Sequence, residues 1–187
     1  MEFDLILTEL EKIDHMPTVG NRVKLNKNLN SKGNPKRLNC IHFGQKRIGS
    51  LYSETKATKE KLYPRLEKLL ELFMSNNYPE IEYNQILVNK CNFFDIHKDK
   101  NNKVDSCVLF GIGDYTGGEV NIYNEDKELL MAVDIKRKPL VFKNKTTYHS
   151  VAPYEGTRYS IITYLIWGFC KLVYKNIQYN NLSVFFQ

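Results

Sequence analysis

Beyond Pro79 the chain breaks into short apolar runs, and no other feature limits its fold as strongly. The runs are 81–89 (IEYNQILVN), 106–113 (SCVLFGIG), 118–123 (GEVNIY), 129–135 (LLMAVDI), 139–143 (PLVFK) and 158–167 (RYSIITYLIW). Turns rich in Gly, Asn, Asp and Lys separate them at the roughly 8–12-residue spacing of a β-sandwich or barrel. Before Pro79 the rhythm is helical. Phe3, Ile6, Leu7, Leu10 and Ile13 recur at three- and four-residue spacing and predict a short amphipathic helix over 3–14. Leu62, Leu66, Leu69, Leu70, Phe73 and Met74 predict a second helix over 60–75, with Pro64 tolerable only in its first turn. Between them, residues 20–39 are polar and basic with Gly33 and Pro35 as turn formers, which reads as a loop or arm. The expectation is an α+β fold. Helices in the first 80 residues support a β-rich second half, whose strand count suits a jelly-roll-like double-stranded β-helix.

A length of 187 residues fits one domain with a full core. Its parts are a helical and basic support region (1–80), the β-helix core (81–167) and a C-terminal extension (168–187). Hydrophobic content of 42% with 12% aromatics excludes a disordered tail or a coiled coil. No apolar run approaches the roughly 20 residues of a membrane span. The opening MEFDLILTEL carries acids where an export signal needs bases, so an intracellular protein, cytoplasmic or nuclear and not secreted, is expected. Cys40, Cys91, Cys107 and Cys170 stand far apart with no CxxC pair and read as reduced thiols rather than a disulfide frame or zinc site. The net charge of +6 suits a polyanionic partner, although a chain rich in Lys and Asn and poor in Arg also reflects an A/T-rich coding sequence.

The residues that bear chemistry lie in the β-rich half. In an extended segment i and i+2 point the same way, so His97 and Asp99 can face a common point. His149, near the start of a later strand, would complete two histidines and one carboxylate on one face of an octahedron. Three adjacent positions stay open in that set, the arrangement of non-haem Fe(II) oxygenases. Arg158 and Ser160 share a face at the start of the last strand; arginine grips a carboxylate bidentately and serine adds a donor beside it. His15 and His42 lack ligand-spaced neighbours and read as surface or capping residues. There is no nucleophile elbow, P-loop or GxGxxG. Tyr148, Tyr154 and Tyr159 are candidates to line a pocket, and Trp167 reads as a packing residue.

The order H-x-D, then His about fifty residues on, then R-x-S about ten later resembles the Fe(II)/2-oxoglutarate-dependent dioxygenase superfamily over roughly 81–167. More narrowly, GIGDYTGGEV (111–120) and PLVFKNKTTYHSVAPYEGTRYS (139–160) are similar to the TET/JBP group, which oxidises the methyl of thymine or 5-methylcytosine in nucleic acid. The resemblance implies a double-stranded β-helix that uses Fe(II), 2-oxoglutarate and O2. His97, Asp99 and His149 match the iron ligands, and Arg158 with Ser160 matches the clamp on the distal carboxylate of 2-oxoglutarate. Asn89 matches a polar contact to the co-substrate, and Asn102 a position that reads the base in some DNA-acting relatives. The Asp114–Glu119 turn, with Tyr115, would border the mouth, Gly117-Gly118 serving first as a hairpin turn. A nucleic-acid partner, DNA above all, is favoured by Arg22, Lys24, Lys27, Lys32, Lys36 and Arg37 and by the lysines and arginine of 136–145. The alternatives are a prolyl- or lysyl-type peptide hydroxylase and a metal-free jelly-roll binding module.

Overall fold

Two amphipathic stretches form the main helices of the computed structural model, which describes residues 1–19, 37–48 and 51–166. α1 (Glu2–Glu11) buries Ile6 and Leu10. α2 (Lys56–Lys59) is a single turn, capped by the Thr55 side chain accepting from the Thr58 N–H. α3 (Pro64–Asn77) buries Leu66, Leu70, Phe73 and Met74 on one face. The helix expected over 60–75 starts later, because Pro64 stands in its first turn, where proline's missing N–H costs nothing. Leu62 therefore lies outside the helix and is 46% exposed.

The rest is antiparallel sheet. The strands are β1 (Thr18–Val19), β2 (Leu38–Ile48), β3 (Leu51–Glu54), β4 (Gln85–Lys90), β5 (Cys107–Ile112), β6 (Tyr115–Gly117), β7 (Val120–Tyr123), β8 (Leu129–Val133), β9 (Leu140–Phe142), β10 (Tyr148–Val151), β11 (Tyr154–Gly156) and β12 (Tyr159–Tyr164). A seven-stranded sheet runs β1-β2-β4-β12-β5-β9 with β3 attached to β2; a smaller sheet runs β10-β7-β8; β11 and β6 pair alone.

All six apolar runs beyond Pro79 contain strands. The first 80 residues, expected to be helical and loop-like, also contribute β1, β2 and β3, and β2 pairs directly with the central β4. The physical reason lies in its alternation. Ile41 and Phe43 enter the core beside the helices, whereas Cys40 and His42 face the other way, so the run looks too polar for a strand. Residues 20–36 and 167–187, with Trp167, Cys170, most of the basic arm and the C-terminal extension, lie outside the described residues.

The large sheet is covered on both faces, which is why all six residues of β5 and of β12 are buried. On one face Ile86, Val88, Val108, Phe110 and Ile161 pack with Ile6, Leu10, Phe73 and Met74 of α1 and α3. On the other, Leu87, Leu109, Ile162 and Tyr164 pack towards Val120 and Ile135. That second face is only partly filled, and the gap in it holds the site.

Candidate metal centre

Strand pairing sets up the wall of this gap. β4 and β12 align Asn89 with Ser160, Leu87 with Ile162 and Gln85 with Tyr164; β2 aligns Cys40 with Asn89 and His42 with Leu87. With a side-chain period of two, these residues share one face, and all of them line a cavity of about 310 Å³. His97, Asp99 and His149 line the same cavity.

The three residues meet. His97 and His149 exchange backbone hydrogen bonds, His97 N–H to His149 O at 3.0 Å and the reverse at 2.9 Å, which sets the ring centroids 4.3 Å apart. Asp99, two residues on, turns the same way. Its Oδ1 is 3.9 Å from His97 Nε2 and its Oδ2 3.7 Å from His149 Nε2. One ligand atom from each of the three lies within 4.8 Å of the others. Both imidazoles are fixed from behind. His97 Nδ1 is 2.6 Å from Asp95 O and His149 Nδ1 is 3.0 Å from Thr147 O. A carbonyl only accepts, so each Nδ1 carries the proton and each Nε2 turns a lone pair inward, the orientation of metal-ligating histidines. Two imidazole nitrogens and one carboxylate, convergent and with Asp99 and His149 buried, fit a divalent transition metal.

Asp99 is held by neighbours the sequence reading missed. Asn144 Nδ2 and Tyr164 Oη each donate to Asp99 Oδ2 at 3.0 Å. The Asp99 N–H donates to Asn144 O at 2.9 Å. These partners are 45 and 65 residues from Asp99, beyond any local pattern.

At the other end of the cavity wall stands Arg158, just before β12 and 2% exposed. Its guanidinium carbon lies 5.6 Å from the Tyr115 ring centre and 5.5 Å from that of Tyr154. Its Nε has no hydrogen-bond partner, and it joins no ion pair among the described residues. Burial pulls its pKa below the ordinary arginine value, with Tyr115 and Tyr154 partly opposing that shift. Gly118, at φ +75°, makes room for it: a Cβ there would sit 2.9 Å from Arg158 Nε.

The remaining sequence candidates divide. Asn89 and Ser160 line the cavity, 4% and 6% exposed, and Asn89 Oδ1 accepts from Asn92 Nδ2 at 3.0 Å. Asn102 borders the cavity, but both its amide atoms serve the fold. Nδ2 donates to Asn144 Oδ1 and Oδ1 accepts the Leu165 N–H, each at 2.9 Å, so it supports Asp99 rather than facing outward to a base. Asp114 is exposed in a turn and does not reach the cavity. Tyr115 is buried beneath Arg158 instead of standing at a mouth. Tyr154 packs on Arg158, Tyr159 enters the helix-side core, and Tyr148 sits under Lys98. His15 is exposed as expected. His42 is not a surface residue: it lines the cavity, with Gln85 Nε2 3.0 Å from its Nδ1 and Cys40 Sγ 3.3 Å from its Nε2.

No family model matches the chain, and no curated protein matches it in sequence. Solved structures do match in shape. An oxidoreductase of the 2OG-Fe(II) oxygenase family from Burkholderia pseudomallei superposes with a TM-score of 0.54 at 14% identity, covering 84% of this chain and 77% of its own. OsALKBH1 superposes with a TM-score of 0.54 at 15% identity, covering 88% of this chain and 91% of its own. They do not single out a TET/JBP relationship. The chain shares its fold with OsALKBH1 and with the Burkholderia oxidoreductase of the 2OG-Fe(II) oxygenase family.

Proposed function

We propose that the chain is an Fe(II)- and 2-oxoglutarate-dependent dioxygenase built on a double-stranded β-helix, with His97, Asp99 and His149 as iron ligands. The observation that carries this reading is the presence, in one cavity, of a convergent two-histidine, one-carboxylate set and a buried arginine that pairs with no carboxylate among the described residues. A guanidinium so desolvated calls for an anion, and a dicarboxylate reaching from the metal towards Arg158 supplies one. When bound, iron and 2-oxoglutarate supply the oxidising power that inserts oxygen from O2 into a substrate C–H bond, with release of succinate and carbon dioxide. The chain's own residues place the reactants. Arg158 pairs with the distal carboxylate, Ser160 donates beside it, and Asn89 offers its amide from the neighbouring strand. The apolar wall of Leu87, Leu109 and Ile162 limits water around them.

The favoured substrate is the 5-methyl of a pyrimidine in nucleic acid, thymine or 5-methylcytosine. Net charge supports this; the basic cluster of 136–138 supports it less than its composition suggested. Lys136 Nζ donates to Tyr115 O at 2.7 Å, Arg137 pairs with Asp4 and Lys138 with Asp134, each at 2.6 Å. Arg37 lies among the described residues, and the rest of the basic arm lies outside them. The test is succinate release with Fe(II) and 2-oxoglutarate across thymine DNA, 5-methylcytosine DNA, RNA and peptides. Stimulation by DNA together with a hydroxymethyl pyrimidine product supports the reading. Stimulation by peptide alone replaces it with a peptide hydroxylase.

A further inference from the structure

We infer that Asn144 and Tyr164 decide which oxygen of Asp99 meets the metal: both donate to Oδ2, so coordination falls to Oδ1 alone. The inference rests on the iron-centre reading above. A carboxylate can bind a metal through one oxygen or two, and a second bond would close one of the positions a co-substrate and dioxygen need. An oxygen accepting two hydrogen bonds at 3.0 Å has both in-plane lone-pair directions occupied. Oδ2 is in that state.

The direction of the Asn144 donor is fixed by a chain of contacts that starts at a backbone group. The Leu165 N–H can only donate, so the Asn102 atom it meets at 2.9 Å is the carbonyl oxygen. The Asn102 amide nitrogen then faces Asn144 Oδ1 at 2.9 Å, and the Asn144 nitrogen faces Asp99. An amide flip at either asparagine would break two contacts, which fixes their orientation. Asn144 is 0% exposed and Asn102 2%, so water does not compete for these groups. Tyr164 and Leu165 lie at the end of β12 opposite Arg158 and Ser160. One strand thereby serves the metal's carboxylate at one end and the proposed co-substrate clamp at the other. Asn144, Tyr164 and Asn102 are positioning residues, acting through Asp99.

The test is metal binding by the purified full-length chain, without turnover. Mn(II) affinity is measured by electron paramagnetic resonance, and coordination number by the visible absorption of the Co(II) form. Tyr164→Phe keeps the ring and removes only the donor. It should weaken Mn(II) at least about tenfold, in the range found when outer partners of metal ligands are removed, and should change the Co(II) spectrum while the metal-free melting curve stays cooperative. Asn144→Ala should do the same more strongly, and where it fails to fold, Tyr164→Phe decides. Wild-type Mn(II) affinity and an unchanged Co(II) spectrum in folded Tyr164→Phe would overturn the inference. Wild-type affinity in His149→Ala would overturn the metal-centre reading itself, so the two failures are distinguishable.

Discussion

Under the proposed function, Arg158 is the residue on which co-substrate recognition would turn. It is buried between two tyrosine rings with its Nε unpartnered among the described residues, so an anion entering the cavity would stabilise it there. Arg158→Gln should leave the fold intact and raise the 2-oxoglutarate requirement by the equivalent of about 2–5 kcal/mol, the usual loss when one partner of a buried charge pair is removed. Steady-state kinetics against 2-oxoglutarate measures this, and an unchanged KM would move the clamp to another residue. The His97, Asp99 and His149 cluster and Arg158 were legible in the sequence because their spacing carries chemistry: i and i+2 on an extended segment, then His149 in one later strand and Arg158 at the entry to another. Asn144 and Tyr164 were not legible, since they reach Asp99 only through tertiary pairing. The resemblance matches Asn102 to a base-reading position, but its support of Asn144 and Leu165 exists only in three dimensions and leaves no mark in the sequence.

At the scale of elements, the large sheet is a partition with a helix-covered face and a cavity face. Phe110 on β5 anchors the first, with its ring 4.7 Å from Phe73 and 5.6 Å from Phe3. Phe110→Ala should cost about 3–5 kcal/mol, as large-to-small changes in packed cores do, read from urea unfolding; a cost below about 1 kcal/mol would mean that the helices do not depend on this contact. The turn between β6 and β7 serves the cavity face. Gly118→Ala forces a side chain into a positive-φ position and against Arg158, so it should lower stability by about 1 kcal/mol and also raise the 2-oxoglutarate KM. A stability loss with unchanged KM would separate the turn from the clamp. The apolar runs made β4, β5, β7, β8, β9 and β12 visible in the sequence, but β2 escaped. Its cavity face carries Cys40 and His42 where a fully packed strand would carry valine or leucine, so the polarity of that face hid the strand.

For the whole molecule, charge placement separates the substrate classes. If nucleic acid is the substrate, log affinity should fall linearly with log salt, with a slope of about −0.7 to −0.9 per phosphate neutralised. Replacing Lys24, Lys27, Lys36 and Arg37 together should flatten that slope. Replacing Lys136 and Lys138 should change it less, because Lys136 donates to the Tyr115 carbonyl and Lys138 already faces Asp134 in a surface pair. Equal effects from the two sets, measured by fluorescence anisotropy with single-stranded DNA, would show that these contacts open on binding. The most direct measurement of the central claim is succinate formation by the purified protein supplied with Fe(II), 2-oxoglutarate and O2, compared with His97→Ala, Asp99→Ala and His149→Ala. Turnover by the wild-type chain that is lost in each folded variant is the predicted result. Full turnover in any one of the three, or none in the wild type across nucleic-acid and peptide substrates, would contradict it.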